Sequence, residues 1–164
     1  MQFFKKLTVV LFACGSLLFA KASLAVTYVC MDTTLGTFCM EMLEEDAPGT
    51  VANFLNYVRD GDYNQTFIHR TVPSFVIQGG GYQLPPEAAE VPSNGEIPNE
   101  FKVPNTRGTV AMAKLADQPN SATSEWFINL TTNVDLDTSN GGYTVFAKIV
   151  SGLPVVDAIG NAQR

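Results

Sequence analysis

The segment 67–81 constrains the fold of this chain more than any other. Two strand-like runs, 66–70 and 75–78, lie almost entirely within it and are joined by a turn that contains proline. The simplest interpretation is a hairpin that carries a solvated surface arginine without a functional role. The alternative is a functional site, because a cation and an amide, Arg70 and Gln78, stand beside apolar residues and are followed by three flexible glycines.

Hydrophobic periodicity predicts two helices and further strands. Apolar residues at i, i+3, i+4 and i+7 predict an amphipathic helix over 47–60, and a second helix is expected over 154–160. Residues 82–104 contain five prolines and predict a long surface loop. After an initial hairpin over 28–43, strands are expected over 66–70, 75–78, 109–113, 126–130 and 143–149. Seven strands and two helices in this order predict a mainly β fold, an antiparallel barrel that is closed so that no long edge is exposed.

Residues 1–25 have the pattern of a secretory signal peptide. Two lysines precede an apolar run over 7–20, and the segment ends in Ala22-Ser23-Leu24-Ala25. A membrane anchor is the alternative, but this run is too short to span a membrane comfortably. We therefore expect cleavage near Ala25, a periplasmic or secreted protein, and a mature domain over 26–164.

The charge balance bounds the partners of the mature chain. Cleavage would remove three lysines and no acidic residue, leaving 7 basic and 16 acidic side chains and a formal charge of −9. Such a surface repels nucleic acid and anionic lipid. A length of 164 residues suits one globular domain. We expect a monomer with no nucleic-acid partner and no membrane partner after cleavage.

Cys30 and Cys39 would both remain after cleavage, and an exported protein can form disulfides. A two-residue loop at 34–35 would place the two cysteines opposite each other and bring their apolar neighbours together. Gly36 instead favours a three-residue loop with a bulge, which would shift the register by one and send the sulfurs to opposite faces. Both registers remain open at this level.

His69 is the only histidine of the chain, so a catalytic triad or a histidine metal site would have to use it. The sequence contains no nucleophile elbow, no helical histidine pair and no cysteine pairs with metal spacing. A histidine that is hydrogen-bonded on a strand face is the better interpretation. We expect no metal and no other cofactor.

Four segments in order carry a resemblance to a known family. FIHRTVPSFVIQGGG at 67–81 is followed by NTRGTVAMA at 105–113, SATSEWFIN at 121–129 and GYTVFAKIV at 142–150. Together they resemble the cyclophilins, which are peptidyl-prolyl cis-trans isomerases, and they look most like the exported bacterial members. The resemblance implies a cyclophilin-like barrel with two flanking helices. Relatives continue after the second helix into a last strand, so a chain that stops at residue 164 is expected to lack that strand.

The resemblance also implies the site residues. Arg70 would be the catalytic cation, and Gln78 would hold it and contact the substrate backbone. Ala113 and Lys114 match the stretch that pairs with the substrate backbone. The apolar pocket for the proline ring is matched by Phe75, Val76, Met112, Phe127 and Leu136, with Tyr143 as a weaker member.

Glu125 departs from the family pattern, in which this position is usually Gln. An amide that can donate and accept is thereby replaced by a carboxylate that mainly accepts. The carboxylate would either draw Arg70 away from the substrate or favour basic residues beside the proline. Trp126, the next residue, is expected to point into the barrel, and Phe127 to point to the pocket.

The function implied by the resemblance is that of an exported isomerase. It would act without a cofactor on Xaa-Pro segments of unfolded or partly folded exported proteins. One alternative is a non-catalytic module that binds proline peptides with reduced or lost turnover. A small secreted ligand-binding barrel is a further alternative, but it would explain the strands and not the four ordered segments.

Overall fold

The computed structural model of this chain describes residues 26–85 and 89–162, and the predicted signal peptide lies outside the described residues. The strands of the described part are β1 (Tyr28–Thr33), β2 (Gly36–Met42), β3 (Arg70–Val72), β4 (Val76–Gly79), β5 (Thr109–Met112), β6 (Trp126–Asn129) and β7 (Val145–Ser151). The α-helices are α1 (Pro48–Asp60) and α2 (Leu153–Asn161), and short 3-10 helices span Val134–Asp137 and Ser139–Gly141.

All seven strands belong to one antiparallel sheet, whose order is β1-β2-β7-β5-β6-β4-β3. The prediction of a mainly β, antiparallel fold with two helices is therefore confirmed. The order has two ends, β1 and β3. The described strands thus form an open, half-barrel sheet. They do not close into the full barrel that the sequence predicts.

The β1–β2 hairpin has the register of the two-residue loop. Cys30 pairs directly with Cys39, and the two sulfurs form a disulfide. The turn is held locally, because the Thr33 hydroxyl donates to the Gly36 carbonyl at 2.7 Å. Of the two registers that the sequence left open, the structure has the one that places the cysteines on the same face.

Both helices occur where the periodicity predicts them. Helix α1 begins at Pro48 and ends before Gly61, which adopts the left-handed conformation with φ of 80°. Its buried face includes Val51 and Phe54, which are 2% and 0% exposed. Helix α2 also carries a proline in its first turn and buries Val156 against the sheet.

The sheet separates two apolar clusters, and alternation along β6 shows how. Trp126 and Ile128 belong to the main core, which lies between the sheet and the helices, whereas Phe127 belongs to a smaller cluster on the other face. The prediction that Trp126 points inward and Phe127 does not is confirmed. The smaller cluster contains six of the predicted site residues.

The first strand of the opening segment lies later than predicted. Thr66 makes an isolated bridge with Gln83, residues 67–69 belong to no strand, and β3 begins only at Arg70. Gln65 has a φ of 58°, so the chain enters this segment from a left-handed turn residue. The turn at Pro73 and Ser74 is present, with Ser74 at a φ of 56°.

Candidate active site

Strand register brings the candidate residues into one row across the sheet. Arg70 on β3 pairs with Gln78 on β4, and Gln78 pairs with Phe127 on β6. Phe127 pairs with Ala111 on β5, and Ala111 pairs with Val145 on β7. Because directly paired residues share a face, a cation, an amide and three apolar side chains stand side by side on this surface.

Arg70 is exposed at one end of this row, and its position is set by Gln78. Its guanidinium donates to Gln78 Oε1 at 3.1 Å. The opposite end of the same amide donates from Nε2 to Glu125 Oε2 at 2.6 Å. The expectation that Gln78 holds Arg70 thus has a direct contact behind it, and Glu125 contacts the amide of Gln78.

The apolar side of the row forms a compact cluster beside Arg70. Its buried members are Val76, Ala111, Phe127 and Val145, and its partly buried members are Leu43, Phe75, Val103, Ala113, Leu136 and Tyr143. The rings of Phe127 and Tyr143 meet edge to face, with centroids 5.7 Å apart. The cluster brings together six of the residues to which the resemblance assigns substrate contact.

Met112 lies elsewhere. It is 1% exposed and packs in the main core, where it pairs with Trp126 across β5 and β6. Alternation along β5 places Ala111, and not Met112, on the face that carries the smaller cluster. The structure therefore adds Ala111 to this surface and places Met112 on the opposite side of the sheet.

The side chain of Lys114 is held within the protein. Its ammonium donates to the carbonyl oxygens of Asn140 and Gly142 at 2.8 and 2.7 Å and lies 4.9 Å from the centroid of the Tyr143 ring. Partial burial lowers the pKa of this ammonium. Lys114 thus supports the wall of the cluster at Tyr143. The N–H of the preceding Ala113 is also engaged, because it donates to the Glu125 carbonyl at 2.9 Å.

A network of buried amides lies behind the cluster, and the sequence reasoning missed it. Asn129 is 0% exposed and donates to Asn105 Oδ1 at 3.1 Å and to Thr109 Oγ1 at 2.9 Å. Asn133 donates to Asn129 Oδ1 at 2.7 Å and to the Phe75 carbonyl at 3.1 Å. The signal available in the sequence is an asparagine among the apolar residues of the predicted strand 126–130, because an amide that is buried there needs partners.

Glycine is required at the end of β4. A Cβ at Gly80 would lie 2.6 Å from the Ser124 carbonyl oxygen, and Gly80 has a φ of 79°. A Cβ at Gly81 would lie 2.9 Å from Glu125 Oε1 and 3.1 Å from a carbon of the His69 ring. Glycine is thus required at Gly80, whereas the nearest atom to a Cβ at Gly81 belongs to the end of the Glu125 side chain.

Within residues 26–85 and 89–162, no group of three or more His, Cys, Asp or Glu side chains is arranged to hold a metal ion. The helices in the same ranges include none with the length and apolar character that a membrane span requires.

Comparison with known families agrees with this geometry. The sequence model of the cyclophilin-type peptidyl-prolyl cis-trans isomerases matches residues 28–164. The chain belongs to this family. The prediction of a cyclophilin is thereby confirmed, and so is its enzyme class, peptidyl-prolyl cis-trans isomerase.

Curated relatives extend over most of the chain. The peptidyl-prolyl cis-trans isomerase of Acinetobacter baylyi is 42% identical over 161 residues, covering 96% of this chain and 82% of that protein. Isomerase A of Dickeya dadantii is 38% identical, covering 88% of this chain and 76% of its own length. Isomerase B of Escherichia coli is 42% identical, and the match covers 80% of this chain and 82% of that protein.

A solved cyclophilin supports the fold. The crystal structure of a cyclophilin-type isomerase from Cryptosporidium parvum superposes with a TM-score of 0.71 at 23% identity. The match covers 85% of this chain and 86% of that one. The open seven-stranded sheet with two helices is therefore a cyclophilin fold.

Proposed function

We propose that this chain isomerises Xaa-Pro bonds of exported proteins, with Arg70 as the cation that stabilises the twisted prolyl amide. One observation carries the proposal. An exposed guanidinium is held by the Gln78 amide at the edge of an apolar cluster large enough to present several rings and aliphatic side chains. This arrangement offers a proline ring an apolar surface and its nitrogen a fixed donor.

The chemistry explains why a cation suffices. Rotation about the prolyl bond must overcome a barrier of roughly 18–20 kcal/mol, and no bond to the substrate is broken. Twisting the bond removes the amide resonance and localises a lone pair on the prolyl nitrogen. A donor that meets this lone pair stabilises the twisted form more than either planar ground state, which is the requirement for catalysis.

Arginine fits this task because it stays charged and presents rigid planar donors. Gln78 accepts one of those donors at 3.1 Å and thereby restricts the guanidinium before substrate arrives. Phe127, Val76 and Leu136 provide apolar area for the pyrrolidine ring. A mechanism of this kind needs neither a nucleophile nor a cofactor.

A binding module without turnover is the second candidate, and Glu125 is the observation that favours it. Its carboxylate accepts a short bond from Gln78 and adds a negative charge behind the amide that holds Arg70. If this charge reduced the strength of the donor that Arg70 offers, proline peptides would bind without accelerated exchange. The two candidates therefore differ in turnover and not in binding.

Exchange spectroscopy separates them. Exchange between the cis and trans signals of an Ala-Pro peptide is measured by NMR with the mature protein, with Arg70→Ala and with the matched control Arg59→Ala. Arg59 is an exposed arginine of α1 whose guanidinium bonds within its own helix to Asn56. We expect exchange with the wild type and the control and little with Arg70→Ala. Binding without exchange in the folded wild type would favour the module.

The export part of the proposal is supported by two features. The predicted signal peptide is one, and the Cys30–Cys39 disulfide is the other, since such bonds persist in oxidising compartments. Mass spectrometry of the protein from fractionated cells tests the proposal. We expect a chain that begins after Ala25 in the periplasm or medium, and a full-length cytosolic chain would contradict it.

A further inference from the structure

The polar chain that begins at Arg70 continues beyond Glu125. Arg70 donates to Gln78 Oε1, Gln78 Nε2 donates to Glu125 Oε2, and His69 Nε2 lies 3.3 Å from the same carboxylate oxygen. Four side chains are therefore connected in series, with Arg70 at one end and His69 at the other. Only the first of them is assigned contact with the reacting amide.

The contacts with Arg70 and Glu125 give the Gln78 amide one orientation. A guanidinium can only donate hydrogen bonds and a carboxylate can only accept them, so the amide oxygen must face Arg70 and the NH2 group must face Glu125. With an amide at position 125, either orientation of Gln78 could find a partner there. The carboxylate thus removes an alternative state in which the NH2 group would be turned toward Arg70.

Glu125 is itself held from several sides. Its main chain accepts from Ala113 N at 2.9 Å, and the preceding Ser124 carbonyl accepts from the Tyr63 hydroxyl at 2.7 Å. The side chain is 35% exposed and lies against Gly81, where a Cβ would be 2.9 Å from Oε1. Oε2 itself lies 2.6 Å from Gln78 Nε2 and 3.3 Å from His69 Nε2, so His69 is its side-chain contact other than Gln78.

His69 is built to make that contact. Its side chain is 14% exposed and its ring meets Tyr82 edge to face, with centroids 5.0 Å apart. Nδ1 is buried and has no hydrogen-bond partner among the described residues. With its proton on Nε2, which lies 3.3 Å from Glu125 Oε2, the ring places no N–H at the buried Nδ1.

We propose that His69 is a positioning residue for isomerisation, which holds Glu125 so that Gln78 keeps its oxygen on Arg70. The inference rests on the proposed role of Arg70. His69 does not touch the substrate in this scheme, and its effect passes through two side chains. Its loss should therefore change the rate at which bound peptide isomerises more than the binding of the peptide.

The test compares two substitutions of similar size. His69→Leu keeps the bulk and removes the donor, whereas His69→Gln keeps an N–H donor close to the position of Nε2. We expect His69→Leu to lower kcat by about tenfold, less than the roughly hundredfold loss that a 1 Å misplacement of a group can produce, with KM nearly unchanged. His69→Gln should recover most of the rate. In a Glu125→Ala background, His69→Leu should add no further loss.

A second readout does not depend on activity. The side-chain NH2 signals of Gln78 in a proton–nitrogen correlation spectrum should shift in His69→Leu and return toward wild type in His69→Gln. Unchanged kcat together with unchanged Gln78 signals in His69→Leu would overturn the inference, as would a loss in His69→Gln equal to that in His69→Leu. Failure of the proposed function is seen separately, as absent exchange in the wild type, and the Gln78 signals would still decide whether His69 positions this amide.

Discussion

Replacement of Asn129 by alanine should destabilise the protein far more than its size suggests. The Asn129 side chain makes three hydrogen bonds, at 3.1, 2.9 and 2.7 Å, and it is completely buried. Alanine would leave Asn105 Oδ1 without its donor, whereas Thr109 and Asn133 would each keep one other partner. One orphaned buried group costs about 1–3 kcal/mol, and each weakened bond costs about 0.5–1.5 kcal/mol.

The sum is about 2–6 kcal/mol, which is a large share of the roughly 5–15 kcal/mol that stabilises a typical domain. Urea unfolding with linear extrapolation measures it directly. Asn56→Ala is the control, because Asn56 is an exposed amide on α1 and should change the free energy of unfolding by no more than about 0.5 kcal/mol. A loss below about 1 kcal/mol for Asn129→Ala would refute the claim that these amides are mutually dependent.

Two further predictions concern the hairpin and α2. Reduction of the Cys30–Cys39 disulfide, which closes a loop with a sequence separation of 9, should lower the free energy of unfolding by about 2–3 kcal/mol. Urea unfolding with and without reductant measures this loss. Two free thiols in the unreduced, unfolded protein would contradict the presence of the disulfide. The bidentate bond from Arg107 lowers the pKa of Asp157 below its ordinary 3.8. The small excess in stability of wild type over Asp157→Asn should therefore be present at neutral pH and vanish as the pH falls below 3.8. Thermal unfolding measures this difference in stability, and a difference that grew in acid would contradict the prediction.

The parts of the fold that local signals determine could be predicted from the sequence. Helix α1 has a proline at its start and a glycine just past its end, so its bounds agree with the prediction within one residue. Trp126 and Phe127 could be assigned to opposite faces because successive side chains of a β-strand point to opposite sides of the sheet. Residues 82–104 contain only isolated bridges in their described part, as the proline content predicts.

The parts that depend on pairing between distant strands could not be predicted in the same way. Whether Ala111 or Met112 faces the smaller cluster depends on the register of β5 against β6 and β7. No local sequence pattern determines this register. The amide network needs three segments to meet, and each asparagine alone reads as an ordinary polar residue. The link from His69 to Glu125 likewise joins residues that are distant in sequence.

The central claim is that Arg70 stabilises the twisted amide and not the bound peptide. One titration of an Ala-Pro peptide, followed by NMR exchange spectroscopy, reports both the dissociation constant and the exchange rate for wild type and Arg70→Ala. Removal of one donor that acts only in the transition state should reduce the exchange rate about a hundredfold or more with little change in binding. Equal losses in binding and in exchange would contradict the account, because Arg70 would then serve only to bind the peptide.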